Sequence, residues 1–108
     1  MTKRIKKRYL AVIAEPRAEP DEMMHAIVSS YEELFGKFGL ASAGIKLVKS
    51  YPSKGILIIR CFLDSLPRLI LALASITKIG EERTALRIIS ISGTIKSLTR
   101  KLAALKRT

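Results

Sequence analysis

Residues 55–62 read Gly-Ile-Leu-Ile-Ile-Arg-Cys-Phe and follow the turn-forming Pro52-Ser53-Lys54. The run is short and rich in β-branched residues, so it predicts a strand, Ile56 to Leu63. Side chains of a strand alternate between its two faces. Here both alternating sets are apolar: Ile56 and Ile58 on one side, Leu57 and Ile59 on the other. A strand of that kind must be covered on both faces. The rest of the chain therefore has to supply a layer above the sheet and a layer below it.

The remaining pattern offers the parts. Tyr9 to Ala14 is another short apolar run suited to a buried strand, and Glu15-Pro16-Arg17-Ala18-Glu19-Pro20 ends it. Pro20 fits a first helical turn, with Asp21 and Glu22 favourable at the positive end of the helix dipole. Met24, Ile27, Val28, Tyr31, Leu34, Phe35 and Phe38 then recur at three- and four-residue steps, which predicts a helix to about Lys37 with Gly36 and Gly39 as C-terminal caps. Ile45 to Tyr51 reads as a strand joined to Ile56–Leu63 in a hairpin. Asp64 or Ser65 caps a second helix with a stripe of Leu66, Leu69, Ile70, Leu73 and Ile76, ended by Gly80. Thr84 to Ile91 is a fourth strand. Ser92-Gly93-Thr94 stops it and caps a third helix bearing Ile95, Leu98, Leu102 and Leu105 on one side. The order is βαββαβ plus a C-terminal helix. Its commonest solution is an α+β, ferredoxin-like sandwich of the kind found in RNA-recognition domains. Residues 1–7 read as a flexible basic arm and 8–108 as a single domain.

In RNA-recognition domains, bases stack on aromatics displayed by the central strands. Strand 56–63 has aliphatic residues at those places, and the first strand offers Tyr9 alone. The face left open by the two crossover helices is thus expected to lie under the third helix or a protein partner, not under stacked bases.

Charge decides the class of partner. Lys and Arg number 20 against 9 Asp and Glu, for a net charge of +11 in 108 residues. Self-repulsion on that scale opposes compactness, and a polyanionic partner resolves it. The cations are segregated. Lys3, Arg4, Lys6 and Lys7 lie in the arm, with Arg8 at its junction with the domain; residues 34–63 and 83–108 contain no acid at all. Thr94, as N-cap of the third helix, leaves backbone N–H groups free beside Lys96, a geometry that docks phosphate. With Arg100, Lys101, Lys106 and Arg107 on the same helix, these residues are the expected RNA contacts, chosen on charge and position.

Catalytic readings are thin. His25 is the one histidine, on a helix beside acids, and Cys61 lies inside an apolar strand where a free thiol is inert. Together they make no zinc site. Glu32 and Glu33 diverge by about 100° on a helix and form no acid–base pair. A single cysteine argues against a secreted disulfide framework. The apolar run after the basic start is too short for a signal sequence, and Leu69–Thr77 falls far short of the ~20 residues of a membrane span. A cytoplasmic protein without a membrane partner is expected. The absence of Asn and Gln is a thermophile signature.

The segments Arg8-Tyr9-Leu10, Leu34-Phe35-Gly36 with Gly39, Ile45-Lys46-Leu47, Gly55-Ile56 with Arg60-Cys61, and above all Ser92-Gly93-Thr94-Ile95-Lys96 together resemble ribonuclease P protein component 2, the archaeal counterpart of the eukaryotic Pop-five subunit. The resemblance runs from about Arg8 to Leu102. It implies a noncatalytic subunit of the ribonucleoprotein that removes 5′ leaders from precursor tRNA. The RNA subunit would then carry the Mg²⁺-dependent chemistry, and this chain would bind no cofactor. Implied partners are ribonuclease P RNA, protein component 3 and, within a larger assembly, a second copy of the chain. Two other readings share the topology: a different ribosomal or ribonucleoprotein RNA-binding component, and a ligand-sensing regulatory domain. The second has no need of +11, and its strand–helix loop would want a glycine that this chain lacks.

Overall fold

In β1 (Lys7–Glu15) the alternation is plain: Leu10, Val12 and Ala14 are buried on one face, while Tyr9 and Ala11 face the other way. The computed structural model describes residues 5–105. β1 is flanked by β3 (Ile56–Phe62) and by β6 (Ala85–Ser92), and β2 (Lys46–Tyr51) lies outside β3. The order β2-β3-β1-β6 is antiparallel throughout, which is the ferredoxin-like arrangement expected. Lys7 pairs with Phe62 and Lys6 accepts a hydrogen bond from the Leu63 N–H at 2.8 Å. The basic segment is therefore drawn into the sheet at its last two residues, because β3 is long enough to pair with them.

Helices α1 (Pro20–Ala43) and α2 (Leu66–Ala74) cover one face. Met23, Ile27 and Tyr31, four apart, form the fully buried seam of α1. Here the expected stripe needs correcting by one residue, since Met24 is only half-buried. A larger difference follows at Gly36. Its φ of 77° interrupts the helix, as a cap would, but the chain resumes helical geometry to Ala43 and is capped by Gly44 at φ 67°. The break shifts the phase of the second segment. Phe38, expected in the stripe, is turned outward and 92% exposed, and Ala43 is buried in its place.

α2 buries Leu69, Ala72 and Leu73, whereas Ile70 and Leu71 are exposed. It also ends at Ala74, well before Gly80. The Ser75 hydroxyl and N–H both donate to the Leu71 carbonyl, at 2.8 and 3.0 Å, and close the last turn. Gly80, with φ 62°, instead turns a two-residue hairpin between β4 (Lys78–Ile79) and β5 (Glu82–Arg83). Ser30 Oγ on α1 donates to the Ala72 carbonyl at 2.9 Å and ties the two helices.

The second face is covered by α3 (Ile95–Leu105), as the apolar strand demanded. Leu98 is fully buried against Ala11 and Ile58, with Tyr9, Val48, Tyr51, Ile89 and Leu102 packed around them. Ile95, expected on that side, is 43% exposed. Among the described residues no helix is long and apolar enough to cross a membrane.

Candidate nucleic-acid interface

Antiparallel pairing brings four strand ends together at one edge of the molecule: the starts of β1 and β2 and the finishes of β3 and β6. Lys7 pairs with Phe62, Lys46 with Arg60, and Tyr9 with both Arg60 and Ser92. The start of α3 follows Ser92 directly. Sequence separation thus hides a small basic surface made of the Lys6–Arg8 segment, Lys46, Arg60 and the first turns of α3.

Thr94 behaves as the N-cap expected of it. Its Oγ1 accepts the Ser97 N–H at 3.1 Å, and its carbonyl accepts the Leu98 N–H at 3.1 Å. Arg8 donates from Nη1 to the Lys7 carbonyl at 2.8 Å. Its guanidinium lies beside Gly93, about 3.5 Å from where a β-carbon on that glycine would stand. Lys96 and Arg100 are exposed and four apart, so they share a face of α3. Lys101 lies on another face of α3 but reaches the same end of the sheet, its Nζ donating to the Ile91 carbonyl at the finish of β6 at 3.1 Å. Of the eleven cationic and capping residues chosen from sequence, Lys3, Arg4, Lys106 and Arg107 lie outside the described residues. Lys6, Lys7, Arg8, Thr94 and Lys96 are brought to this end of the sheet. Arg100 continues the surface one turn along α3.

Two members were missed. Lys46 and Arg60 stand directly across from each other, an arrangement of like charges that is unfavourable without a counter-charge. Arg60 is held in place: Nε and Nη2 donate to the Gly44 carbonyl at 3.3 and 3.2 Å, and the guanidinium lies 5.8 Å from the centre of the Phe62 ring. The signal available was the acid-free stretch 34–63, but pairing it with β1 needed the register. Asp64 is the acid that follows β3 at this end.

Most acids sit at the other end. Glu15, Glu19, Asp21, Glu22, Glu81 and Glu82 belong to the finish of β1, the start of α1 and the β4–β5 hairpin. A groove of about 710 Å³ runs there between α1 and the hairpin, lined in part by Asp21, Glu22, His25 and Glu33. Among the described residues the one ion pair is Arg87 Nε to Glu15 Oε1, at 2.8 Å. None of the cations at the basic end is neutralised within the described residues.

The groups that could act in catalysis are dispersed. His25 is exposed on α1. Cys61 is fully buried, and burial pushes its thiol from 9.0 up to about 11 against the opposing pull of Arg60 and Arg8, so it is protonated at neutral pH. Among the described residues no three His, Cys, Asp or Glu side chains converge as a ligand set for a metal.

Comparison with known proteins points to one family for the chain. The model of the Rpp14/Pop5 family matches residues 8–103. Ribonuclease P protein component 2 of Pyrococcus furiosus is 34% identical over 102 residues, covering 93% of this chain and 85% of that one. The component 2 proteins of Methanosarcina mazei and Archaeoglobus fulgidus are each 32% identical over 100 residues, covering 91% of this chain and 84% and 89% of theirs. A chain in the cryo-EM structure of yeast ribonuclease MRP superposes over 100% of both chains with a TM-score of 0.67 at 7% identity, a likeness of fold. The chain belongs to the Rpp14/Pop5 family, together with the archaeal ribonuclease P protein component 2 proteins.

Proposed function

We propose that this chain is a noncatalytic, RNA-binding protein subunit of ribonuclease P, and that it supports the RNA in removing 5′ leaders from precursor tRNA. The observation that carries the reading is the coincidence of family and charge. A member of this family gathers Lys6, Lys7, Arg8, Lys46, Arg60 and Lys96 at one end of its sheet, without a carboxylate within ion-pair distance among the described residues. Phosphates neutralise such a surface, and the free N–H groups at the start of α3 add to it. On this reading the Mg²⁺ ions of the reaction belong to the RNA and this chain holds no cofactor. Protein component 3 would be its protein partner, and a second copy of the chain would join within the larger assembly. The burial of Cys61 and the solvated position of His25 fit a supporting role.

Reconstitution tests it. Ribonuclease P RNA is assembled with the remaining protein subunits, with and without this chain, and precursor-tRNA cleavage is followed at low Mg²⁺. The chain should raise the cleavage rate. An equal rate without it would refute the proposal.

A further inference from the structure

α3 covers the centre of the outer sheet face but not all of it. Beyond Leu98 a groove of about 260 Å³ remains between the helix and the β2–β3 end of the sheet. Tyr51, Lys54 and Ile56 form one wall, and Ile89, Leu102 and Ala103 form much of the other. Tyr51 and Ile56 are directly paired across β2 and β3, so the ring and the aliphatic chain form one continuous surface. Lys49 Nζ lies 5.1 Å from the centre of the Tyr51 ring. Thr99, at the rim, donates its hydroxyl to the Ile95 carbonyl at 2.9 Å and retains lone pairs that can accept.

We propose that this groove takes an unpaired nucleobase of the bound RNA, stacked on Tyr51, with Lys49 and Lys54 on its flanking phosphates. The proposal rests on the RNA-binding reading above and adds a single-strand contact to it, at the edge of a face whose aliphatic centre predicted no stacked bases. Charge complementarity selects the occupant. Every residue lining the groove comes from segments 34–63 and 83–108, which contain no acid, and Glu15 at the nearby end of β1 is tied to Arg87. An apolar peptide would have no use for the lysines, whereas a base joins a flat apolar face to a phosphate at each side. The groove lies at the opposite end of the sheet from the basic surface. The other acids there belong to the start of α1 and the β4–β5 hairpin, on the far side of the sheet. α3 connects the two ends. From Lys96, α3 reaches Ala103 in seven residues, about 10 Å along its axis.

The experiment compares binding of a labelled single-stranded RNA and of an RNA duplex of equal length across a salt series. Thr99→Leu with Ala103→Leu fills the groove from an exposed helix face, where leucine is a good helix former. Tyr51→Ala removes the platform, and Tyr51→Phe keeps it. The filled groove and Tyr51→Ala should each weaken single-strand binding about tenfold, as loss of one stacked base does. The slope of affinity against salt should become shallower by about 0.7 at most for each flanking phosphate that leaves Lys49 or Lys54, and duplex binding should stay at the wild-type level. Tyr51→Phe should bind as wild type. Wild-type single-strand affinity in the filled-groove protein overturns the proposal while leaving the RNA-subunit reading intact. If the wild-type chain itself binds neither RNA in a salt-dependent way, the underlying reading falls.

Discussion

On the face beneath α1 and α2, Leu10, Val12, Leu57, Ile59 and Cys61 meet Met23, Ile27, Tyr31, Leu69 and Leu73, all essentially without solvent contact. On the face beneath α3 three residues are fully enclosed, Ala11, Ile58 and Leu98, and their neighbours are half-exposed. The same central strand supplies both layers. The first behaves as a core. The second is a single helix laid over a sheet, carrying Lys96 and Arg100 outward and leaving a groove at its edge. The difference separates what holds the fold from what presents the charge, and it says where substitutions should cost stability and where they should cost binding.

The largest effects should fall on the inner face. Ile59→Ala, between Leu10 and Leu47 in the sheet, should cost about 2–5 kcal/mol in denaturant unfolding. Leu98→Ala should cost about 2 kcal/mol, the lower end of that range, because α3 can settle toward the sheet. Amide exchange would show α3 opening while β1 and β3 stay protected. Equal costs for the two would erase the distinction between core and cover.

Gly44→Ala should come next, at about 1–2 kcal/mol. Gly44 has φ 67°, and a β-carbon there would lie 2.6 Å from the Phe62 ring. The same shift should loosen Arg60, whose guanidinium bonds the Gly44 carbonyl. RNA affinity and the unfolding midpoint should therefore fall together.

Cys61 reports on the dryness of the inner face. Its folded-state thiol is raised to about 11 from 9.0. Stability contributed by the neutral thiol is therefore complete below about pH 9 and is lost as pH climbs toward about 11. The stability gap between wild type and Cys61→Ala, followed by denaturant unfolding at rising pH, should narrow across that window. A constant gap would mean a thiol in contact with water. The smallest effect belongs to the exposed Arg87–Glu15 pair on the outer edge. Arg87→Ala should change unfolding by less than about 1 kcal/mol, and less still at high salt.

Much of the architecture was legible because a strand's two-residue period and a helix's three-to-four-residue period are both visible in side chains alone. Ile56–Ile59 demanded two layers, and two layers exist. Gly36 was readable as a break but not as a break that resumes, since a positive φ serves a cap and a kink equally. The β4–β5 hairpin is too short to leave a period, so Gly80 looked like the end of a helix. At the interface, the Thr94 cap and the exposed Lys96 were local and could be read. Lys46 facing Arg60, Arg8 beside Gly93 and the groove under Tyr51 depend on register between strands far apart in sequence, and no spacing along the chain encodes them.

The central claim is that the basic end of the sheet and the start of α3 hold RNA phosphates. Its most direct test is the salt dependence of ribonuclease P RNA binding by the wild-type chain and by a variant with Lys6, Lys7, Lys96 and Arg100 all replaced by alanine. The logarithmic slope should become shallower by about 0.7 for each single-strand phosphate contact removed, with unfolding unchanged. An unaltered slope in the folded variant would place the RNA elsewhere and contradict the account.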